Sequence, residues 1–252
     1  MTKFEMAATA GTALVVCKEF ETRQLIVKSL KPLAIRPEMC DEALTAICLL
    51  ERQKFEAVIV DLLLGEEALL LMKQLRFSRA NRTAVTITIT AGGSVHKPGE
   101  MQVSTFVLRR PLSSASLNQT LRAAYGLVVR ERRRYFRCPI AVPAIVAVRR
   151  TEELSCQTIN VSEGGMAIHS PSTLALKLPV FVRFNLPERS SQFFAETKVC
   201  WQQEEGRILG LEFQSLAPPQ KAELQEWLAR RLDETLPESV AALFRNVNPT
   251  PP

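Results

Sequence analysis

A run of arginines near the middle of the chain has the clearest chemical potential. Residues 130–137, RERRRYFR, contain five arginines and no lysine. The guanidinium group is planar, holds two phosphate oxygens at once, stacks on flat rings and reads the O6 and N7 atoms of guanine. The run therefore favours a ligand with both phosphates and bases, such as a guanine nucleotide. On its own it is also typical of a solvated interdomain linker or of nucleic-acid attachment.

A glycine-containing turn follows the arginine run. Residues 159–168, INVSEGGMAI, read as strand, turn and strand. Asn160 and Ser162 can project polar groups from the turn, while Gly164 or Gly165 permits a positive φ and a close approach of the backbone to a ligand. Taken alone, this turn would be an ordinary hairpin connection.

Together, the two features resemble the PilZ domain family, the cyclic di-GMP receptors of bacteria. The family signature is Arg-x-x-x-Arg, followed downstream by Asp/Asn-x-Ser-x-x-Gly. Here RRYFR at residues 133–137 supplies the first part and NVSEGG at residues 160–165 supplies the second. VCW at 199–201 and GRILGLEF at 206–213 resemble the last two barrel strands of the family.

This resemblance implies a binding site for cyclic di-GMP and no cofactor besides that ligand. It implies that a flexible segment wraps over the ligand, that its arginines grip the phosphates and guanines, and that the turn lines the barrel surface beneath. The implied ligand-binding residues are Arg132, Arg133, Arg137, Asn160, Ser162 and Gly165. We expect no catalytic residue and no metal ligand among them.

Short strands must position these residues. After residue 130, alternating apolar segments are separated by Gly and Pro, a pattern typical of a small antiparallel barrel or sandwich. A helix that begins near Pro218 carries Leu224, Trp227, Leu228 and Leu232 on one face, which can pack on the barrel. The predicted strands lie at residues 144–149, 157–161, 165–169, 180–185, 193–201 and 208–213.

The segment before the arginine run has a different pattern. Apolar runs of strand length at 13–17, 57–61, 84–90 and 105–108 alternate with helical segments, which include 42–53, 66–76 and 117–129. This alternation indicates a doubly wound, flavodoxin-like α/β domain with a parallel sheet covered on both faces. We expect an N-terminal tail at 1–12, the α/β domain at 13–129, the barrel domain with its C-terminal helix at 130–236 and a C-terminal tail at 237–252.

The α/β segment resembles the receiver domain of bacterial response regulators. Asp61 stands at the position of the phosphorylated aspartate, Thr90 at that of the hydroxyl residue, and Arg110 where receivers have lysine before a proline. The acidic pair that holds Mg²⁺ is missing, because Cys17 and Lys18 occupy its place. We therefore expect a pseudo-receiver without a metal site, in which Lys18 partly substitutes as a positive charge near Asp61.

The expected function is that of a cyclic di-GMP receptor and signalling adaptor. Nucleotide binding would reorient the pseudo-receiver, which we expect to act as a homodimerisation or partner-docking module for an unnamed protein partner. Two alternatives stay open: an adaptor whose barrel binds no nucleotide, and a response regulator phosphorylated at Asp61 with the barrel as its output. DNA binding is less favoured, since neither a helix-turn-helix pattern nor a basic sheet with aromatics accompanies the arginines.

Composition and motifs exclude several other classes. The net charge of +6 is modest for 252 residues, so attraction to an anion must come from local clustering. No enzyme motif surrounds His96 or His169, and the six cysteines are scattered without metal-ligand spacing. No apolar stretch is long enough to span a membrane and no signal-peptide pattern is present, so we expect a cytoplasmic protein that is not an enzyme.

Overall fold

A computed structural model describes residues 9–91, 105–149 and 152–234. The described residues form two compact units. The first comprises those up to Arg132, together with Glu234, and the second comprises those from Arg133 to Asp233. Most of the N-terminal tail predicted at 1–12, the whole C-terminal tail predicted at 237–252, and His96 lie outside the described residues.

The first unit is built on a five-stranded parallel sheet. Neighbouring strands pair in the order β2-β1-β3-β4-β5, which is the flavodoxin-like order. The doubly wound fold predicted from the sequence is therefore confirmed. The elements are β1 (Gly11–Val16), α1 (Phe20–Leu30), β2 (Ile35–Cys40), α2 (Ala43–Arg52), β3 (Ala57–Asp61), α3 (Glu66–Phe77), β4 (Val85–Thr90), β5 (Phe106–Arg109) and α4 (Ser114–Tyr135).

Burial explains which of these strands were visible in the sequence. Every residue of β1, β3 and β4 is buried, so each strand is a nearly continuous run of apolar and β-branched residues. Strand β2 was not predicted, and its sequence IRPEMC shows why. It lies at the edge of the sheet, four of its six residues are only half-buried, and it contains Pro37. Proline is tolerated at an edge because one side of the strand donates no ladder hydrogen bonds.

Helix α4 extends further than the apolar pattern indicated. The predicted helix ended at residue 129, whereas α4 continues to Tyr135. Arg132 and Arg133, which the resemblance places on a segment that wraps over the ligand, are therefore helical in this structure. Arginine is a good helix former, and the buried face of the helix continues past Val128 to Glu131.

The second unit is a closed antiparallel barrel. Six strands pair in the cyclic order β8-β7-β10-β11-β12-β9, and β9 returns to β8. A short strand, β6, adds to one end of β8. The predicted barrel is confirmed, although β6 was not foreseen. The strands are β6 (Arg137–Pro139), β7 (Pro143–Arg149), β8 (Glu152–Ser162), β9 (Gly165–His169), β10 (Pro179–Asn185), β11 (Gln192–Gln203) and β12 (Ile208–Leu216).

Helix α5 (Pro218–Glu234) covers the barrel as its apolar stripe predicted. Leu224, Trp227, Leu228 and Leu232 are all buried. The indole N–H of Trp227 donates to the carbonyl oxygen of Pro187 at 3.1 Å, so this buried aromatic ring keeps its polar atom satisfied. Within the parts of the chain that the structure describes, no helix is both long and apolar enough to cross a bilayer.

Candidate functional site

Pairing of β6 with β8 brings the two halves of the motif together. Arg137 lies directly opposite Ser162 and Pro139 lies opposite Asn160, in an antiparallel register. Between them, Cys138 and Val161 are buried, whereas Arg137 is exposed and Asn160 and Ser162 are half-buried. Because cross-strand neighbours share a face, Arg137, Asn160 and Ser162 are presented on the outer surface of the barrel.

The turn between β8 and β9 is held by its own hydrogen bonds. The Ser162 hydroxyl donates to the carbonyl oxygen of Gly165 at 2.9 Å. The backbone N–H of Phe213 donates to the carbonyl oxygen of Gly164 at 2.9 Å, and the Gln225 amide of α5 donates to the Glu163 carboxylate. The turn is thus preorganised, and the Ser162 oxygen keeps lone pairs that can accept a hydrogen bond from a ligand.

The two glycines of the turn have different roles. A Cβ atom at Gly165 would lie 2.1 Å from the backbone oxygen of Leu211, whereas a Cβ at Gly164 would meet nothing within 4 Å. The sequence pattern favoured close approach of a glycine to a ligand. The structure shows that Gly165 allows close approach of strand β12, which closes the barrel.

We therefore expect Gly165→Ala to destabilise the barrel by about 1–3 kcal/mol, because the added methyl group must displace backbone. Gly164→Ala is the matched control and should leave stability unchanged. The chain has two tryptophans, Trp201 and Trp227, and both lie in the second unit. Urea unfolding followed by tryptophan fluorescence therefore reports on the barrel. Equal midpoints for the two variants would contradict the steric role of Gly165.

An aromatic ring lies in the same row as Asn160. The register places Ala167 opposite Asn160, Gly210 opposite Ala167 and Trp201 opposite Gly210, across four neighbouring strands. A Cβ at Gly210 would lie 2.1 Å from the Trp201 indole, so the ring lies flat against that glycine. Trp201 is 36% exposed. Exposed aromatic faces can stack nucleobases. The sequence pattern had placed VCW at 199–201 in a strand without assigning Trp201 to the site.

Arg132 and Arg133 both have carboxylate partners within their own units. Arg132 Nη1 lies 3.8 Å from Glu56 Oε1, and Arg133 Nη2 lies 3.8 Å from Asp233 Oδ1. The structure therefore brings Arg137, Asn160, Ser162 and Gly165 of the predicted set together, while the other two arginines lie in the last turn of α4. Carboxylates distant in sequence could not be assigned to these arginines from the motif alone.

The first unit has a cluster of polar side chains at the carboxyl ends of its strands. Asp61 is buried, and its Oδ2 accepts a hydrogen bond from Arg110 Nη2 at 2.7 Å. Arg110 Nη1 also donates to Glu19 Oε2 at 2.5 Å. The Leu63 N–H donates to Asp61 Oδ1 at 3.2 Å. The charge that the sequence assigned to Lys18 therefore comes from Arg110, and Lys18 is exposed.

The other polar groups of this cluster also have hydrogen-bond partners. The Cys17 thiol donates to Asp61 Oδ2 at 3.2 Å, and burial, reinforced by Asp61, raises the pKa of Cys17 to about 12. Hydrogen bonds from Thr22 and then Arg110 lower the pKa of Glu19. The Thr90 hydroxyl donates to the carbonyl oxygen of Leu108 at 3.3 Å. Among the described residues, no group of acidic, His and Cys side chains could hold a metal ion.

Comparison with known proteins gives one family and several solved structures. The PilZ domain family model matches residues 131–230. A receiver domain of a sensor histidine kinase from Pseudomonas aeruginosa, solved with magnesium in its active-site cleft, is 21% identical with a TM-score of 0.40. That match covers 46% of this chain and 98% of that one. A receiver domain from Methylobacillus flagellatus is 22% identical with a TM-score of 0.40, and the match covers 44% and 96%.

An inhibitor of motility from Bacillus subtilis is 21% identical with a TM-score of 0.34, and the match covers 40% of this chain and 51% of that protein. No curated protein matches the chain by sequence. The family model and the closed barrel agree for the second unit, and the strand order of the first unit is that of a receiver. Residues 131–230 of this chain are therefore a PilZ domain, preceded by a unit with the flavodoxin-like strand order that receiver domains share.

Proposed function

We propose that the PilZ domain binds cyclic di-GMP and that the chain is a non-enzymatic signalling receptor that reports this binding to a protein partner. One observation carries the proposal. The β6–β8 register places Arg137 opposite Ser162, so the two halves of the nucleotide-binding motif adjoin on the outer face of the barrel. Polar side chains on an exposed strand face are ordinary in themselves, so the support comes from the meeting of both halves of the motif in one register.

The chemistry of this face suits a dinucleotide with two guanines and two phosphates. Arg137 is exposed and can hold phosphate oxygens or the Hoogsteen edge of guanine. Asn160 offers amide donors and an acceptor, and the Ser162 oxygen can accept a hydrogen bond. Trp201 supplies an aromatic face in the Asn160 row on which a base can stack.

Titration of the full chain tests this proposal against its alternatives. We expect calorimetry to give micromolar or tighter binding of cyclic di-GMP and weak retention of random duplex DNA. Steep loss of DNA binding with added salt would favour the nucleic-acid alternative. Binding of neither ligand would favour an adaptor that recognises acidic protein partners through its arginines.

We further propose that the first unit is a pseudo-receiver that docks a partner or a second copy of the chain. Asp61 is bound on both oxygens by groups of its own chain, with Arg110 neutralising its charge. A phosphorylatable aspartate instead needs a free oxygen and a metal ion to offset the phosphate charge.

Acetyl phosphate should therefore leave Asp61 unmodified. The measurement is the intact mass of the full chain after incubation with acetyl phosphate and Mg²⁺, with Asp61→Asn as the control. A labile phosphoryl adduct in the native chain that is lost in Asp61→Asn would overturn the pseudo-receiver proposal and restore the phosphorylatable response regulator.

A further inference from the structure

The carboxylate of Glu56 is fixed at one end of the parallel sheet. Glu56 directly precedes β3, and its backbone N–H donates to Thr12 while its carbonyl oxygen accepts from Val85. Its Oε2 accepts a hydrogen bond from the Thr12 N–H at 2.6 Å, and its side chain is only 3% exposed. Backbone on both neighbouring strands therefore fixes the main chain of Glu56, and the Thr12 N–H holds its carboxylate.

Arg132 lies beside this carboxylate. Its Nη1 is 3.8 Å from Glu56 Oε1, and its side chain is 14% exposed. A buried carboxylate is costly unless a positive charge or hydrogen bonds compensate for the lost water. Burial raises the pKa of Glu56, and Arg132 is the largest influence in the opposite direction. The ammonium group of Lys54, the neighbouring cation, contacts the carboxylate of Glu131 at 2.5 Å.

Arg132 is also one of the arginines that the PilZ resemblance assigns to the binding of cyclic di-GMP. A guanidinium held beside a buried carboxylate has part of its charge and its donors already engaged, so a second anion must compete for it. We propose that Glu56 competes with the nucleotide for Arg132, so that ligand binding releases the last turn of α4 from the sheet of the receiver-like unit. This inference rests on the proposed function and adds an intramolecular competitor to it.

Competition of this kind is reciprocal. If ligand binding weakens the Arg132–Glu56 pair, then loss of the Glu56 charge must strengthen ligand binding by the same free energy. The contact would thus set the ligand concentration at which the protein responds. The packing of the last turn of α4 against the sheet would then be the part of the structure that changes when the ligand binds.

Glu131 provides a matched control on the same turn of α4. It is buried, and its carboxylate contacts Lys54 and the Thr83 hydroxyl, each at 2.5 Å. Like Glu56, it holds the end of the helix through a buried carboxylate, here to the segments that precede β3 and β4. Neither of these two partners is a proposed ligand-binding residue, so Glu131 can loosen the helix without releasing Arg132 from its carboxylate.

Calorimetric titration of Glu56→Gln and Glu131→Gln with cyclic di-GMP tests the competition. Glutamine at 56 keeps an oxygen for the Thr12 N–H and removes the charge. We expect Glu56→Gln to bind about 5-fold or more tightly than the native chain. Glu131→Gln should tighten binding clearly less, because it loosens the turn but leaves Arg132 beside the Glu56 carboxylate. Equal affinities for Glu56→Gln and the native chain would overturn the competition and leave the proposed function standing. Equal tightening by both variants would also overturn it, because general loosening of α4 would then be the cause.

A second measurement uses the native chain and does not depend on folding of a variant. Backbone amides at the end of α4, around Glu131 and Arg132, should exchange faster with deuterium when cyclic di-GMP is saturating. Unchanged exchange at saturation would overturn the release of α4. Absence of binding in the native chain and in Glu56→Gln alike would instead remove the proposed function, and the competition with it.

Discussion

Replacing Arg137 by alanine should lower the affinity for cyclic di-GMP by at least about 100-fold, because a charged partner of the phosphates or guanines is lost. Arg137 lies on β6 opposite Ser162, and its side chain is exposed. Truncating an exposed side chain removes little packing, so the fold should be preserved. Arg133→Ala, which truncates the first arginine of the Arg-x-x-x-Arg pattern, should give a similar loss. Calorimetric titration measures both effects.

Arg130→Ala is the control for these variants. Arg130 is exposed on the same helix as Arg133, and its loss changes the net charge by the same amount, but it stands outside the motif. Its substitution should change the affinity little. If Arg130→Ala and Arg137→Ala weakened binding equally, attraction would come from general charge, and the site geometry proposed for Arg137 would be wrong.

Replacing Arg110 by alanine should destabilise the receiver-like unit by about 3 kcal/mol, because it leaves the buried carboxylate of Asp61 without its cation. Arg110 is the group that joins Asp61 to Glu19, at 2.7 Å and 2.5 Å. The double variant Arg110→Ala/Asp61→Asn should recover most of the lost stability, since a neutral amide needs no positive partner.

The two units allow this effect to be located. Circular dichroism in urea follows both units, whereas tryptophan fluorescence follows the barrel, where Trp201 and Trp227 lie. In Arg110→Ala, the urea midpoint of the receiver-like unit should therefore fall when unfolding is followed by circular dichroism. The midpoint followed by tryptophan fluorescence should not change. A double variant as unstable as the single one would show that Arg110 stabilises the unit by packing and not by neutralising Asp61.

Elements with a strong local signal were predictable from the sequence. Strand β3 and strand β9 have the predicted bounds, because one is a fully buried apolar run and the other begins at a glycine turn. Strands β2 and β6 were not predicted, each for a different reason. The first is a half-buried edge strand that contains a proline, and the second has only three residues. Their existence depends on neighbouring strands that lie elsewhere in the sequence.

The candidate site shows the same division. The motif residues and their order could be identified in the sequence. The absence of the acidic pair from the receiver-like unit could be identified there as well. The partners of the arginines could not be predicted, because each is a carboxylate that is distant in the sequence and approaches its arginine only in the folded chain. The pairs are Arg132 with Glu56, Arg133 with Asp233, and Arg110 with Asp61. A spacing pattern reports which side chains share a motif. It does not indicate which carboxylate, distant in the sequence, forms an ion pair with each of those side chains.

The contact between Gly165 and the backbone of Leu211 affects how related sequences should be interpreted. A glycine that barrel closure requires should be retained wherever a barrel closes in this way, whether or not that barrel binds a nucleotide. Arg137 makes no comparable demand on the fold, since its side chain is exposed and its loss should leave the barrel intact. The arginine should therefore be the more informative of the two about ligand binding, and the glycine the more informative about the architecture. A search that gave the two residues equal weight would assign nucleotide binding to barrels that have the glycine but lack the arginine.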